Sequence, residues 1–150
     1  MRSVVYGLES QLIPVAAQWA GAEDPRWFDP NATALGALCD GRIVAVAVFY
    51  QFTPTDCRIS LASDGSKRWL TREFIVRVFA YPFVQMHLNR LTAEIPATNC
   101  AAVRLCQHFG FRPEGAKRKA CDDGSDELIF GLLREECKWL GPRRRLAAAA

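Results

Sequence analysis

The sequence predicts an α/β (α+β) domain: a mixed seven-stranded sheet with helices on both faces, in the order β-α-β-β-β-α-β-α-β-β. Three observations carry this. Segments of helical periodicity alternate with β-branched runs along the chain. Two Asp-Gly pairs, Asp40-Gly41 and Asp123-Gly124, stand between strand-like segments, as hairpin turns do. The run Arg42 to Phe52 (RIVAVAVFYQF) is almost continuously apolar, the pattern of a central strand covered on both sides.

The elements follow in order. Ser3 to Leu8 reads as a first strand, favoured by Val4, Val5 and Tyr6. Ser10 is placed to cap a helix running to about Ala20, with Leu12, Val15, Ala16 and Trp19 on one face. Pro14 fits this helix only if it falls in the first turn. A turn-rich stretch carries Trp27 and Phe28, which either line a pocket or are pinned to the core. Thr33 to Cys39 and Arg42 to Phe52 form the first hairpin, and Cys57 to Ala62 alternates as a fourth strand. A basic loop then leads to a long helix, Trp69 to Met86, capped by Thr71 or Ser66 and bent or ended by Pro82. Arg90 to Pro96 is a fifth strand. It opens into a helix with Asn99 as N-cap, an apolar face of Ala102, Leu105 or Cys106, and Phe109, and Gly110 as its stop. Phe111 to Ala120 and Leu128 to Leu133 complete the sheet as an antiparallel pair.

With 150 residues, half of them apolar and 23% charged, the chain is expected to form one globular domain. No apolar run approaches the length of a membrane span, and the N-terminus lacks the apolar core of a signal peptide. The net charge of +3 is concentrated at the end. Lys138, Arg143, Arg144 and Arg145 leave 15 basic residues against 16 acidic in the remainder. The expected division is a domain over 1–137 and a basic, flexible tail over 138–150. The tail offers charge to an acidic partner or nucleic acid, against the plainer reading of a solvated end, so nucleic acid is the weaker partner. Six cysteines without a C-x-x-C pair, and only two histidines, carry no zinc signature, and no metal site is expected. Free thiols in a reducing cytoplasm are the expected state.

The segment from Asn99 to Gly115 (NCAAVRLCQHFGFRPEG) resembles a motif of the GCN5-related N-acetyltransferase (GNAT) superfamily, roughly N-x-x-A-x-x-x-Y-x-x-x-G-F followed by x-x-E-G. The matches are Asn99, Ala102, Gly110, Phe111, Glu114 and Gly115. The element order over about residues 3–133 is similar to the GNAT fold. The look is nearest to the branch that acetylates protein N-termini on ribosomal subunits, and to phage and prophage relatives; ECKWL, Glu136 to Leu140, adds to it. The resemblance implies acetyl-CoA as co-substrate, held in a V-shaped opening between strands 4 and 5, and an amine acceptor: a protein N-terminus or a small molecule. It also implies a pyrophosphate seat on backbone N–H groups where the helix after strand 4 begins. Here that stretch is Gly65, Ser66, Lys67, Arg68, Trp69, Leu70, Thr71 and Arg72, which departs from the family's glycine-rich loop but keeps a helix start and three cations. Asn99 corresponds to an Asn that contacts the pantetheine arm, and is a plain N-cap as well. Arg104 meets the 3′-phosphate or only solvent.

Acetyl transfer needs a neutral amine, a polarised carbonyl and a proton for the departing thiolate. The family's Tyr position is Cys106 here, and the Ser of the ribosomal branch is Ala102. Cys106 is the first candidate acid, with Tyr81 and water behind it. Glu94, five residues before Asn99, matches a proposed catalytic Glu of N-terminal acetyltransferases. It is either a partly buried base or the outward edge of a strand in a salt bridge. A competing reading is a non-catalytic acyl-CoA-binding or interaction protein on the same fold. The oligomeric state stays open, a homodimer included.

Overall fold

The computed structural model describes residues 1–21 and 28–141. Trp27 and the Arg143–Arg145 run lie outside the described residues. The elements are β1 (Arg2–Tyr6), α1 (Glu9–Trp19), β2 (Thr33–Cys39), β3 (Arg42–Tyr50), β4 (Arg58–Ser63), α2 (Arg72–Ala80), β5 (Arg90–Pro96), α3 (Cys100–His108), β6 (Arg112–Lys117) and β7 (Glu127–Leu133). They form one seven-stranded sheet in the order β1-β2-β3-β4-β5-β7-β6. Every neighbouring pair is antiparallel except β4 and β5.

The β2–β3 turn follows from its sequence. Asp40 and Gly41 both take positive φ, 50° and 78°, which a two-residue hairpin turn of this hand requires. Placing β7 between β5 and β6 is what no hairpin pattern announces.

The two faces of the sheet are filled differently. On one, Ala45, Ala47 and Phe49 of β3 pack with Phe74, Ile75, Val78 and Phe79 of α2 and Cys106 of α3. On the other, Leu12, Ala16 and Ala17 of α1 cover Ala34, Val46 and Val48, and Phe28 closes this smaller core. Beyond β4 that second face turns polar among the described residues: the side chains pointing out from β5, β7 and β6 include Arg90, Glu94, Glu114, Lys117 and Glu127.

Three sequence expectations need correction. First, Ser10 does not cap α1. The helix starts at Glu9 with Leu8 in the N-cap place and no side-chain bond, and the Leu8 carbonyl accepts from Gln11 and Leu12 at 2.9 and 2.8 Å. Pro14 therefore lies in the second turn, where it removes an intrahelical bond. Second, α2 does not begin at Trp69. Thr71 is the cap, its Oγ1 accepting from the Phe74 amide at 3.1 Å, and the regular helix ends at Ala80. Pro82 has no N–H to continue the ladder, so residues Tyr81–Gln85 widen into a π-turn, with the Met86 amide reaching the Tyr81 carbonyl at 3.0 Å. Third, β6 stops at Lys117, because Lys119 adopts φ 55° and its amide turns to Asp126 Oδ1 at 2.9 Å. Residues 139 and 140 also pack against the domain. Trp139 stacks on Phe79 (centroids 6.4 Å apart) and donates Nε1–H to the Phe109 carbonyl at 2.9 Å, and Leu140 is 2% exposed.

Candidate functional site

A parallel pair can open only where its ladder stops. β4 and β5 share a single register pair, Arg58 with Thr92, and no residue from Ile59 to Ser63 has a partner on β5. The strands part at this point. The loop after β4 leads into the N-terminus of α2, and the turn after β5 leads into that of α3. Two helix starts, each with unpaired N–H groups and the positive end of a dipole, thus follow the two walls of one opening.

On the β4 side, the loop over residues 63–71 is folded on itself. Asp64 accepts from the Ser66 amide at 2.9 Å, the Ser66 hydroxyl at 2.6 Å and the Arg68 guanidinium at 3.0 Å. The Ser66 hydroxyl and amide, then Arg68, hold the Asp64 carboxyl below its ordinary value. The Gly65 amide donates to Ser63 Oγ at 3.2 Å, and the Leu70 and Thr71 amides to the Lys67 and Trp69 carbonyls. Trp69 is 5% exposed and packs edge-on against Phe74, so it anchors the loop in the core. Leu70, Lys67 and Arg72 are exposed. The amides of Arg72 and Glu73, inside the first turn of α2, have no intrahelical acceptor.

On the β5 side, Asn99 is exposed and caps α3, accepting from the Ala102 amide at 3.2 Å. Arg104 is exposed one turn further on. Cys106 points into the core at 7% exposure, and burial pushes its thiol up from 9.0 to about 12. Tyr81 is held away from α3: it receives the Thr33 hydroxyl at 2.9 Å and rests on Phe49.

Glu94 stands on β5, two residues past the last pairing with β4. It is partly buried, with its side chain 11% exposed, and both oxygens are engaged: Arg58 lies at 2.8 Å from Oε1 and Lys117 at 3.0 Å from Oε2. Lys117 also reaches Glu127 at 3.4 Å. Burial, then the adjacent Glu94 carboxylate, raises the Glu127 carboxyl above its ordinary value, against the pull of Lys117. Tyr50, the register partner of Arg58, is pushed to about 12, chiefly by burial and next by Glu94; its ring meets Phe28 edge-on at 5.2 Å. Phe28 itself is 3% exposed and belongs to the core. The structure therefore brings Glu94 together with Arg58, Lys117, Glu127 and Tyr50, four residues that sequence reasoning missed. Only the alternation of β4, which turns Arg58 away from the apolar face of Ile59 and Leu61, hinted at any of them.

A second ion pair on this face is of a different kind. Arg90 grips Glu114 with two nitrogens, at 2.5 and 3.2 Å, and also reaches Thr92. The pair lies flat across Gly131, where a Cβ would overlap both side chains. Glycine lets the two side chains lie this close to β7.

The fold is a known one. A spermidine N-acetyltransferase SpeG mutant from Vibrio cholerae superposes with a TM-score of 0.73 at 13% identity, over 95% of this chain and 98% of that one. The ribosomal-protein-S18-alanine N-acetyltransferase from Escherichia coli gives 0.68 at 18%, over 89% and 94%. A GNAT-family acetyltransferase from Bacillus anthracis gives 0.59 at 22%, over 69% and 67%. The chain has the GNAT fold. At these identities the likeness is one of fold, and it does not bear on phage or prophage relatives. No protein-family model matches the sequence, and no curated protein matches it. No helix among the described residues is long and apolar enough to cross a membrane.

Proposed function

We propose that this protein is an acetyl-CoA-dependent N-acetyltransferase that moves an acetyl group directly to a primary amine, either a protein N-terminus or a small amine. The observation that carries this reading is the parting of β4 and β5 after Arg58 and Thr92, with a helix N-terminus following each wall.

The residues along the opening fit a phosphorylated, amide-rich arm. The free amides of Arg72 and Glu73, with the exposed cations Lys67 and Arg72, suit the pyrophosphate; the Asn99 side chain suits the arm, and Arg104 a terminal phosphate. Ser66 and Arg68 join that seat once Asp64 releases their donors, and Gly65 once its amide leaves Ser63 Oγ. Trp69, Leu70 and Thr71 shape the turn into the helix. Acetyl-CoA supplies the thioester. In the transfer the acceptor ammonium gives up one proton, its nitrogen forms a bond to the acetyl carbon, the C–S bond breaks, the new amide nitrogen sheds a second proton to water, and the thiolate takes a proton. Glu94 is the carboxylate at the opening and takes the ammonium proton, directly or through water. The burial of Cys106 and its thiol near 12 favour water over Cys106 as the source of the thiolate's proton.

One observation favours a second reading. Asp64 occupies the donors of the phosphate loop, and Ala102 and Cys106 replace the usual proton donors, as suits an acyl-CoA-binding protein without turnover. Titration calorimetry with acetyl-CoA, followed by thiol release on a panel of primary amines, separates the two. Binding with release supports the transferase, and binding without release supports the second reading. No binding overturns both.

A further inference from the structure

We propose that Lys117 is a built-in competitor for the acceptor: its ammonium occupies the place where a primary alkylammonium is held, and the acceptor enters by displacing it. The inference rests on the transferase reading and adds the recognition of the amine.

The geometry distinguishes a fixed receptor from a movable occupant. Glu94 and Glu127 are 11% and 25% exposed and stand on β5 and β7, inside the sheet. Lys117 stands on β6, the edge strand, and its side chain is 43% exposed. Its Nζ bridges the two carboxylates, at 3.0 Å from Glu94 and 3.4 Å from Glu127. A primary ammonium has three N–H donors, so it can serve two carboxylates and still carry one chain outward. Glu94 lies two residues beyond Thr92, the last point where β4 and β5 are paired, and its other oxygen is tied to Arg58 on the opposite wall. An ammonium held there is beside the opening.

Charge and cost point the same way. Two carboxylates face two cations, Arg58 and Lys117. Arg58 spans the apex and is the better enclosed, at 31%. When Lys117 swings out, the carboxylate pair keeps one cation for two charges and favours another. The exchange is like for like, because an incoming primary ammonium remakes the contacts that Lys117 gives up. The Arg90–Glu114 pair shows the contrast: it is forked, further tied to Thr92 and fitted over Gly131, so it is built to stay.

The test uses n-butylammonium chloride as the probe, with binding read by ligand-observed NMR on the full chain without cofactor. Lys117→Met is expected to bind it about 10-fold more tightly than wild type, and Lys117→Gln to follow. Adding Glu127→Gln to Lys117→Met should abolish the gain, and tetramethylammonium, which has no N–H, should show none. With acetyl-CoA present, the same variant should lower KM for n-butylamine with a smaller change in kcat. Equal or weaker binding by both Lys117 variants overturns the proposal. Enhanced binding without thiol release for any amine leaves the amine site standing and removes the transferase reading instead.

Discussion

Arg58 and Glu94 meet at 2.8 Å across the point where β4 and β5 part, one residue from each wall. The pair fixes the apex of the opening and sets one carboxylate beside it. Removing Arg58 leaves Glu94, 11% exposed, with Lys117 alone. Arg58→Met should cost about 1–2 kcal/mol of stability, read as a lower midpoint in chemical denaturation.

Glu94→Gln keeps the shape and removes the charge. It should lower the rate of acetyl transfer by about 10²–10³ while the Kd for acetyl-CoA stays within about twofold. An unchanged rate would move the proton acceptor elsewhere, with Glu127 the neighbour to examine next.

Asp64 is the negative group among the donors of the loop over residues 63–71. Asp64→Asn removes a charge that repels phosphate and frees Arg68. Acetyl-CoA binding should tighten by about three- to tenfold at low ionic strength, and the gain should shrink in high salt. Weaker binding would mean that Asp64 is needed to shape the loop.

Burial protects the cysteines unevenly. Cys100 is exposed, whereas Cys39, Cys57, Cys106 and Cys137 are buried. Iodoacetamide on the native protein should label Cys100 first and leave Cys57 and Cys106, both pushed to about 12 by burial, unmodified until unfolding. These two thiols also set an alkaline limit. Raised above 9.0 in the fold, they contribute stability that is complete below pH 9.0 and lost as pH climbs towards about 12. Denaturation midpoints should fall across that window, and less so in Cys57→Ser.

Trp139 closes the core through Phe79 and the Phe109 carbonyl. Trp139→Ala should cost about 2–3 kcal/mol, measured by thermal or chemical denaturation.

Strand and cap chemistry made much of the fold legible. Thr33–Cys39 and Arg90–Pro96 have the bounds their β-branched and apolar patterns imply, and Asn99 caps α3 as its residue type suggests. The misses have local causes. Trp69 and Leu70 continue the apolar pattern of α2, but they belong to the loop, because the Thr71 cap is the stronger signal. The site was legible only along single elements. Glu94 stood out as a carboxylate in an apolar strand, yet its partners come from β4, β6 and β7. Lys117 reaches it only because β7 lies between β5 and β6, and nothing in the order of the chain gives that neighbour relation.

The most direct test of the central claim is an amide chemical-shift titration with acetyl-CoA on the full chain. The account predicts saturable shifts in Gly65, Ser66, Arg72 and Glu73 at the start of α2, together with Ala102 and the Asn99 side chain at the start of α3. No shift at either helix start, or shifts confined to another surface, would contradict it.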